Sequence, residues 1–265
     1  MWIDTHCHLD AGEFAGEAGE IASRAARQGV SCIVIPAVEC GNFRAVRDLA
    51  HSGGNCVYAL GIHPLYVPQA EEEDLDILRA AVQSAVSDPR FVAIGEIGLD
   101  FFVPELCETS LRKKQEHFYG EQLKIARDFD LPVLLHVRRS QDVILKYLRR
   151  IAAPGGIAHA FNGSFQQAEE FIHLGFKLGF GGAMTFSRAL QIRRLATELA
   201  QEALVLETDA PDIPPAWMRD QRNSPEQLPR IGQELATLRG MPAELVAQLT
   251  SANARSALPR LAQLI

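Results

Sequence analysis

The residues best equipped for chemistry in this chain are histidines and carboxylates that close short apolar runs. His6 and His8 flank Cys7 in Met1-Trp2-Ile3-Asp4-Thr5-His6-Cys7-His8. In a strand, alternate side chains share a face, so His6 and His8 are expected to point the same way. Asp4 would lie one step deeper and Cys7 on the opposite face. Two imidazoles side by side form half of a metal site. The pattern recurs along the chain: His63 in Gly61-Ile62-His63-Pro64, Glu96 in Gly95-Glu96-Ile97-Gly98-Leu99-Asp100, His136 in Leu134-Leu135-His136-Val137-Arg138, His159 in Ala158-His159-Ala160-Phe161 and Asp209 in Glu207-Thr208-Asp209-Ala210-Pro211. Singly, such a histidine is often a hydrogen-bonded core residue, and such a carboxylate a helix N-cap. Gathered in one interior, these groups are costly unless paired or metal-bound. His6, His8, Glu96, His136, His159 and Asp209 are too many for one tetrahedral zinc that keeps an open position. They suit two divalent ions about 3.5–4 Å apart with a shared bridge. Glu96 is the natural bridge, with His6, His8 and Asp209 on the first ion and His136 and His159 on the second.

Convergence of these residues requires strands whose ends meet. A strand is followed by a helical stretch eight times. Strands are expected at Met1–Thr5, Ser31–Ala37, Cys56–Leu60, Phe91–Gly95, Pro132–Val137, Gly156–Phe161, Lys177–Phe180 and Ala203–Asp209. The longest helix falls at Ser110–Asp130, and further helical stretches at Pro225–Arg239, Pro242–Ala254 and Leu258–Ile265 close the chain. Near-continuous apolar runs such as Cys-Ile-Val-Ile and Pro-Val-Leu-Leu suit parallel strands covered on both faces. The expected fold is α/β, a (β/α)8 TIM barrel forming a single domain over residues 1–265, with catalytic groups at the C-terminal strand ends. The rival is an open doubly wound sheet, but no glycine-rich dinucleotide fingerprint follows the first strand.

Composition narrows the class. The chain is 47% hydrophobic and 22% charged, as for a protein with a sizeable core. No apolar run is long enough to span a membrane, and no signal-peptide pattern opens the chain. Five scattered cysteines without a CxxC argue against a disulfide framework and for a reducing cytoplasm. A formal net charge of −7 means that any nucleic-acid binding must rest on a local patch.

These motifs, together with Leu131-Pro132-Val133, Asn162-Gly163-Ser164, Gln115, Phe118, Gln122, Asn223 and Pro225, resemble the TatD family of metal-dependent hydrolases, in the amidohydrolase superfamily of barrels. The likeness runs from the first residues to about Asn253. It implies metal ligands at His6, His8, Glu96, His136, His159 and Asp209, and deoxyribonuclease or related phosphodiesterase chemistry. The stretch Asp212–Arg222 lacks the Arg-Gly-Lys run that many of the nucleases carry, and its Asp212-Ile213-Pro214-Pro215-Ala216-Trp217-Met218 is closer to a YjjV-like sub-branch.

The reading that follows is a divalent-metal-dependent hydrolase in which a metal-bound hydroxide attacks an ester. Asp209 is expected to be both ligand and general base. His63 is read as a catalytic or substrate-binding residue outside the ligand set, and Arg138 as a phosphate contact whose plain alternative is a surface ion pair. Glu207 and Asp4 read either as partners orienting a ligand or as buried carboxylates satisfied by a neighbouring lysine or amide. Gln122 interrupts an apolar helix stripe and is expected to satisfy a buried loop carbonyl. His51, His117 and His173 read as solvated or capping residues. Arg188 is the one basic-cluster residue expected near the mouth, and Trp217 reads as a stacking platform or a lid. The favoured substrate is a phosphodiester at a single-stranded nucleic-acid end. The alternatives are a small carboxylic ester or amide, an aminoacyl ester on tRNA, or a non-enzymatic metal-binding scaffold. The histidine-rich set suits Zn²⁺, Mn²⁺ or Ni²⁺ better than Mg²⁺. No membrane and no obligate protein partner is implied.

Overall fold

A computed structural model describes residues Met1–Leu264. Eight parallel strands pair in chain order: β1 (Trp2–Asp4), β2 (Val30–Pro36), β3 (Cys56–Leu60), β4 (Phe91–Asp100), β5 (Val133–Arg138), β6 (Gly156–Ala158), β7 (Phe176–Phe180) and β8 (Leu204–Leu206). The seam between the first and last strands is bridged where the Thr5 N–H and hydroxyl both donate to the Leu206 carbonyl, at 3.1 and 3.0 Å. The sheet is therefore a (β/α)8 barrel, and the open-sheet alternative fails.

The outer layer comprises α1 (Ala18–Arg27), α2 (Phe43–Ser52), α3 (Glu73–Ala85), α4 (Thr109–Asp128), α5 (Gln141–Arg150), α6 (Phe165–His173), α7 (Leu190–Glu198), α8 (Leu228–Arg239) and α9 (Ala243–Ala257). Strand alternation divides the core. Ile33, Ile35, Tyr58 and Leu135 pack in the main core cluster with helix residues such as Val46, Leu123 and Ile144. Val34, Val57, Ala59, Val92, Leu134 and Val205 form a second cluster, together with Leu258 and Leu261 from the end of the chain. The C-terminal segment thus closes one end of the barrel, and the other end is left for chemistry.

Several element boundaries differ from expectation. The fourth strand does not stop at Gly95 but runs to Asp100, fully buried. Its pairing with β5 skips from Ile94↔Val133 to Ile97↔Leu135, a bulge that re-aims Glu96. The sixth and eighth strands end sooner than expected, so His159 stands on a turn and Asp209 in a loop beyond them. The stretch at Pro225–Arg239 opens as a 3-10 turn at Pro225–Gln227 before α8 begins. Of the closing stretch expected at Leu258–Ile265, a 3-10 helix covers Pro259–Gln263, and Ile265 lies outside the described residues. All five cysteines are free, and among the described residues no helix is long and apolar enough to cross a membrane.

Buried amides on α4 and past β8 hold the loops at the working end. Gln122 accepts from the Ile62 N–H at 2.7 Å and donates to the Ile62 carbonyl at 3.0 Å, fixing the loop before His63 as expected. Gln115 accepts from the Asp100 N–H and donates to the Leu106 carbonyl. Asn223 donates to the carbonyls of Thr208, Asp212 and Ile213, organising the loop that carries Asp209. Each amide satisfies backbone groups that could not be left unpaired in the interior.

Candidate metal centre

Glu96 is the hub. Its carboxylate is 1% exposed, and five imidazole rings surround it. Oε2 lies 3.0 Å from His6 Nε2 and 3.3 Å from His8 Nε2. Oε1 lies 2.9 Å from His136 Nδ1, 3.0 Å from His159 Nε2 and 3.3 Å from His63 Nε2. Asp209 Oδ1 stands on the His6–His8 side, 3.7 and 3.8 Å from their Nε2 atoms. The sequence-identified residues therefore converge on one place. Among the described residues, three trios have ligand-capable atoms within 4.8 Å of one another: His6–His8–Asp209, His6–Glu96–His159 and His63–Glu96–His136. The middle trio crosses between the two oxygens of Glu96, because the His6 and His159 rings stack with centroids 4.0 Å apart.

The donor chemistry fits divalent cations. Imidazole nitrogens and carboxylate oxygens are the ligand types of zinc and its neighbours. His6 Nε2 and His8 Nε2 face each other at 3.3 Å as well as facing Glu96, and lone pairs so gathered need a proton or a cation between them. Burial pushes the Glu96 carboxyl up, but the surrounding rings, His63 and His6 first, outweigh it and hold the group well below the usual carboxylate range. Burial holds His6 neutral, with its pKa lowered to about 3. Burial also lowers the His8 ring, but Glu96 and Asp209 reverse this and raise it to about 9. Burial raises Asp209 to about 6, with His159 and His8 opposing.

Several side chains beyond the hub set ring orientation. Asp100 Oδ2 lies 3.0 Å from His136 Nε2, while its Oδ1 accepts from the N–H groups of Phe102 and Val103. A carboxylate on Nε2 fixes the proton there and turns the Nδ1 lone pair toward Glu96. Sequence reasoning missed this role, because a carboxylate at a strand end reads as a cap. Glu207 Oε1 accepts from the Ala160 N–H at 2.5 Å and lies 3.6 Å from His159 Nδ1, so of the expected lysine or amide the partner is a backbone amide. A Cβ at residue 179 would collide with the Glu207 carboxylate, so Gly179 provides its berth. Asp4 departs from expectation. The strand ends at Asp4, so strict alternation does not carry through to His6. Its carboxylate accepts instead from the Thr208 N–H and hydroxyl, at 2.9 and 2.6 Å, and from the His6 N–H at 3.3 Å.

His63, expected to act outside the ligand set, lies beside it, its Nε2 3.0 Å from His136 Nδ1. Its Nδ1 accepts from the Leu65 N–H at 3.1 Å, so the neutral ring carries its proton on Nε2 and presents a donor to the cluster. Burial keeps the ring neutral, with its pKa lowered to about 4. The ring nitrogen nearest the hub is therefore an N–H in this tautomer, which suits contact with an oxygen rather than with a cation.

The cluster forms the floor of a cavity of about 1250 Å³, and Arg138 lies on its wall. Arg138 is exposed, 3.7 Å from Asp100 and stacked on Phe102. Trp217 and Arg188 do not line the cavity. Trp217 donates to Gln227 and lies under Arg230, and Arg188 sits over Phe186. His51 pairs with Asp88 and His117 with Glu72, both away from the cluster.

Comparison with known proteins agrees with this architecture. A family model described as TatD related DNase matches residues 3–259. An uncharacterized metal-dependent hydrolase, YjjV of Escherichia coli strain K12, is 41% identical over 248 residues, covering 93% of each chain. The crystal structure of YjjV, a TatD homolog, superposes with a TM-score of 0.91 at 39% identity, over 97% of this chain and 98% of that one. The 3'-5' ssDNA/RNA exonuclease TatD of Salmonella typhimurium strain LT2 is 30% identical over 261 residues, 96% of this chain and 97% of its own. The chain belongs to the TatD family of metal-dependent hydrolases.

Proposed function

We propose that this chain is a single-domain hydrolase that removes nucleotides from single-stranded nucleic-acid ends with two divalent ions. The observation that carries the reading is the division of Glu96, whose two oxygens face separate sets of rings. His6, His8 and Asp209 would hold one ion, His136 and His159 the other, and Glu96 would serve both. When bound, the ions activate water and polarise the scissile phosphoryl group. Hydrolysis breaks one P–O ester bond and makes one to the oxygen of water. Asp209 takes the water proton and returns it to the leaving oxygen, a role open to a carboxylate whose Oδ1 stands beside the His6 and His8 nitrogens at 3.7 and 3.8 Å. His63 donates from Nε2 to a phosphoryl oxygen, and Arg138 meets a phosphate at the mouth. The exonuclease named in Salmonella typhimurium supports nucleic acid as the substrate class. Zn²⁺, Mn²⁺ and Ni²⁺ fit the nitrogen-rich donor set better than Mg²⁺.

A second reading, hydrolysis of an aminoacyl ester on tRNA, is favoured by the carboxylates Asp10, Glu13 and Glu39 on the cavity wall, which suit an ammonium group. A substrate panel separates the two. Metal-reconstituted protein is given linear and circular single-stranded DNA, RNA, a small phosphodiester, carboxylic esters and aminoacyl-tRNA, with metal content measured alongside. The proposal expects shortening of linear strands with circles left intact. Ester or aminoacyl turnover with nucleic acid untouched would overturn it.

A further inference from the structure

The mouth of the barrel is electrically two-sided. The strands follow one another around the ring in chain order, so the loops after β8, β1 and β2 are neighbours. They lie across the barrel from the loops after β4 and β5. The first group of loops brings Asp10, Glu13, Glu39 and Asp212 to the cavity wall. Asp10 is met by the neutral amide of Asn42, and the nearby Arg222 is engaged with Glu17 and the Glu13 carbonyl. Glu13, Glu39 and Asp212 stand exposed.

The opposite wall is cationic and aromatic. Arg138 and Arg139 lie with their guanidinium carbons 3.9 and 4.6 Å from the centroid of the Phe102 ring. Successive residues of a strand point to opposite sides. Arg139 escapes that rule because it takes a left-handed backbone (φ 55°), which brings both cations to one ring. The carboxylate within reach of Arg138 is buried Asp100, already accepting from His136, Phe102 and Val103. Phe102 is 44% exposed at this wall. Two exposed guanidinium groups held over one ring suit a phosphate.

We propose that a nucleic-acid strand leaves the metal centre only over the Phe102–Arg138–Arg139 wall, and that its terminal nucleoside, directed to the opposite loops, must end without a further phosphate. The inference rests on the nucleic-acid reading above and adds the direction of the strand and the chemistry of the end. A strand threaded through the mouth would set phosphates against four carboxylates in a cleft with low-dielectric walls, where like charges repel strongly. The same repulsion acts on a phosphate at the terminus. The charge layout thus makes the site end-directed and selective for hydroxyl ends.

The test uses the metal-reconstituted full chain and oligonucleotides of one sequence, bearing either a hydroxyl or a phosphate at each end. At whichever end is trimmed, the phosphate is expected to slow removal of the first nucleotide by about tenfold at low salt. The ratio should fall toward one in 1 M salt, where the screening length is about 3 Å. The wild-type ratio needs no variant. Glu13→Gln with Asp212→Asn should narrow it, and Arg139→Ala should raise KM for the strand more than for a small phosphodiester. Equal rates on hydroxyl and phosphate ends, unmoved by salt, would overturn this inference while leaving the nuclease reading intact. Failure to shorten any strand would overturn both. Deacylation of aminoacylated RNA with free ends untouched would overturn it in favour of a cationic terminal group on the acidic side.

Discussion

Replacing Asp100 by asparagine should invert the way His136 presents itself. In the native site the buried carboxylate uses one oxygen for the N–H groups of Phe102 and Val103, at 2.8 and 3.1 Å, and the other for His136 Nε2 at 3.0 Å. Burial pushes this carboxyl up, but the His136 contact and the two N–H groups outweigh it and hold it at about 2. An asparagine has one oxygen, and the two backbone donors claim it. Its NH₂ then faces Nε2, which can accept only if the ring proton moves to Nδ1. That proton would point at Glu96, where the Nδ1 lone pair is needed. Loss of an oriented carboxylate behind a metal-ligating histidine typically costs about 10–100-fold in affinity, equivalent to about 1.4–2.7 kcal/mol. The assay is competition for metal against a chromophoric chelator, with the His136 tautomer read from its ¹⁵N resonances. Affinity within about twofold of wild type, with the proton still on Nε2, would refute the reasoning.

Three other perturbations have defined outcomes. Asp209→Asn should fold and keep the ion held by His136, His159 and Glu96, yet lose about 10²–10⁴-fold in turnover at saturating metal; near-native turnover would remove Asp209 as the base. Asp4 is raised from 3.8 to about 8 by burial, against the Thr208 bonds, so the folded state keeps a proton that the unfolded chain releases. Its contribution is therefore complete below the unfolded value and lost as pH climbs to about 8, with a slope of up to about 1.4 kcal/mol per pH unit. Asp4→Asn should flatten that slope in chemical denaturation of the metal-free protein, and an unchanged slope would count against a neutral Asp4. Gln122→Leu should strip the Ile62 N–H and carbonyl of their partner and cost about 2–4 kcal/mol in denaturation, and a loss below about 1 kcal/mol would mean that water replaces the amide.

The barrel was readable because its strands are apolar on both faces, leaving a chemical residue at the end of a run conspicuous. The same logic found His6, His8, His136, His159, Glu96 and Asp209. What it could not find depends on backbone detail. Alternation placed Asp4 beside His6, but the strand ends there and the carboxylate turns to Thr208. The bulge that delivers Glu96 has no signature beyond Gly95. Asp100 was hidden by the ordinary capping reading of a carboxylate after a strand, and Arg139 by a left-handed backbone that its residue type does not advertise. The donor tautomer of His63 is set by the Leu65 N–H, a contact made by the turn rather than by the motif.

Whether Glu96 joins two ions is tested by metal stoichiometry, without reference to any substrate. Wild-type protein and Glu96→Gln are stripped with chelator, reloaded with Zn²⁺ or Mn²⁺, desalted and analysed for metal per chain. Wild type should hold two ions. The variant should hold one or fewer, since a neutral amide is a poor bridge between two dications. Two ions retained by Glu96→Gln would rule out the bridge.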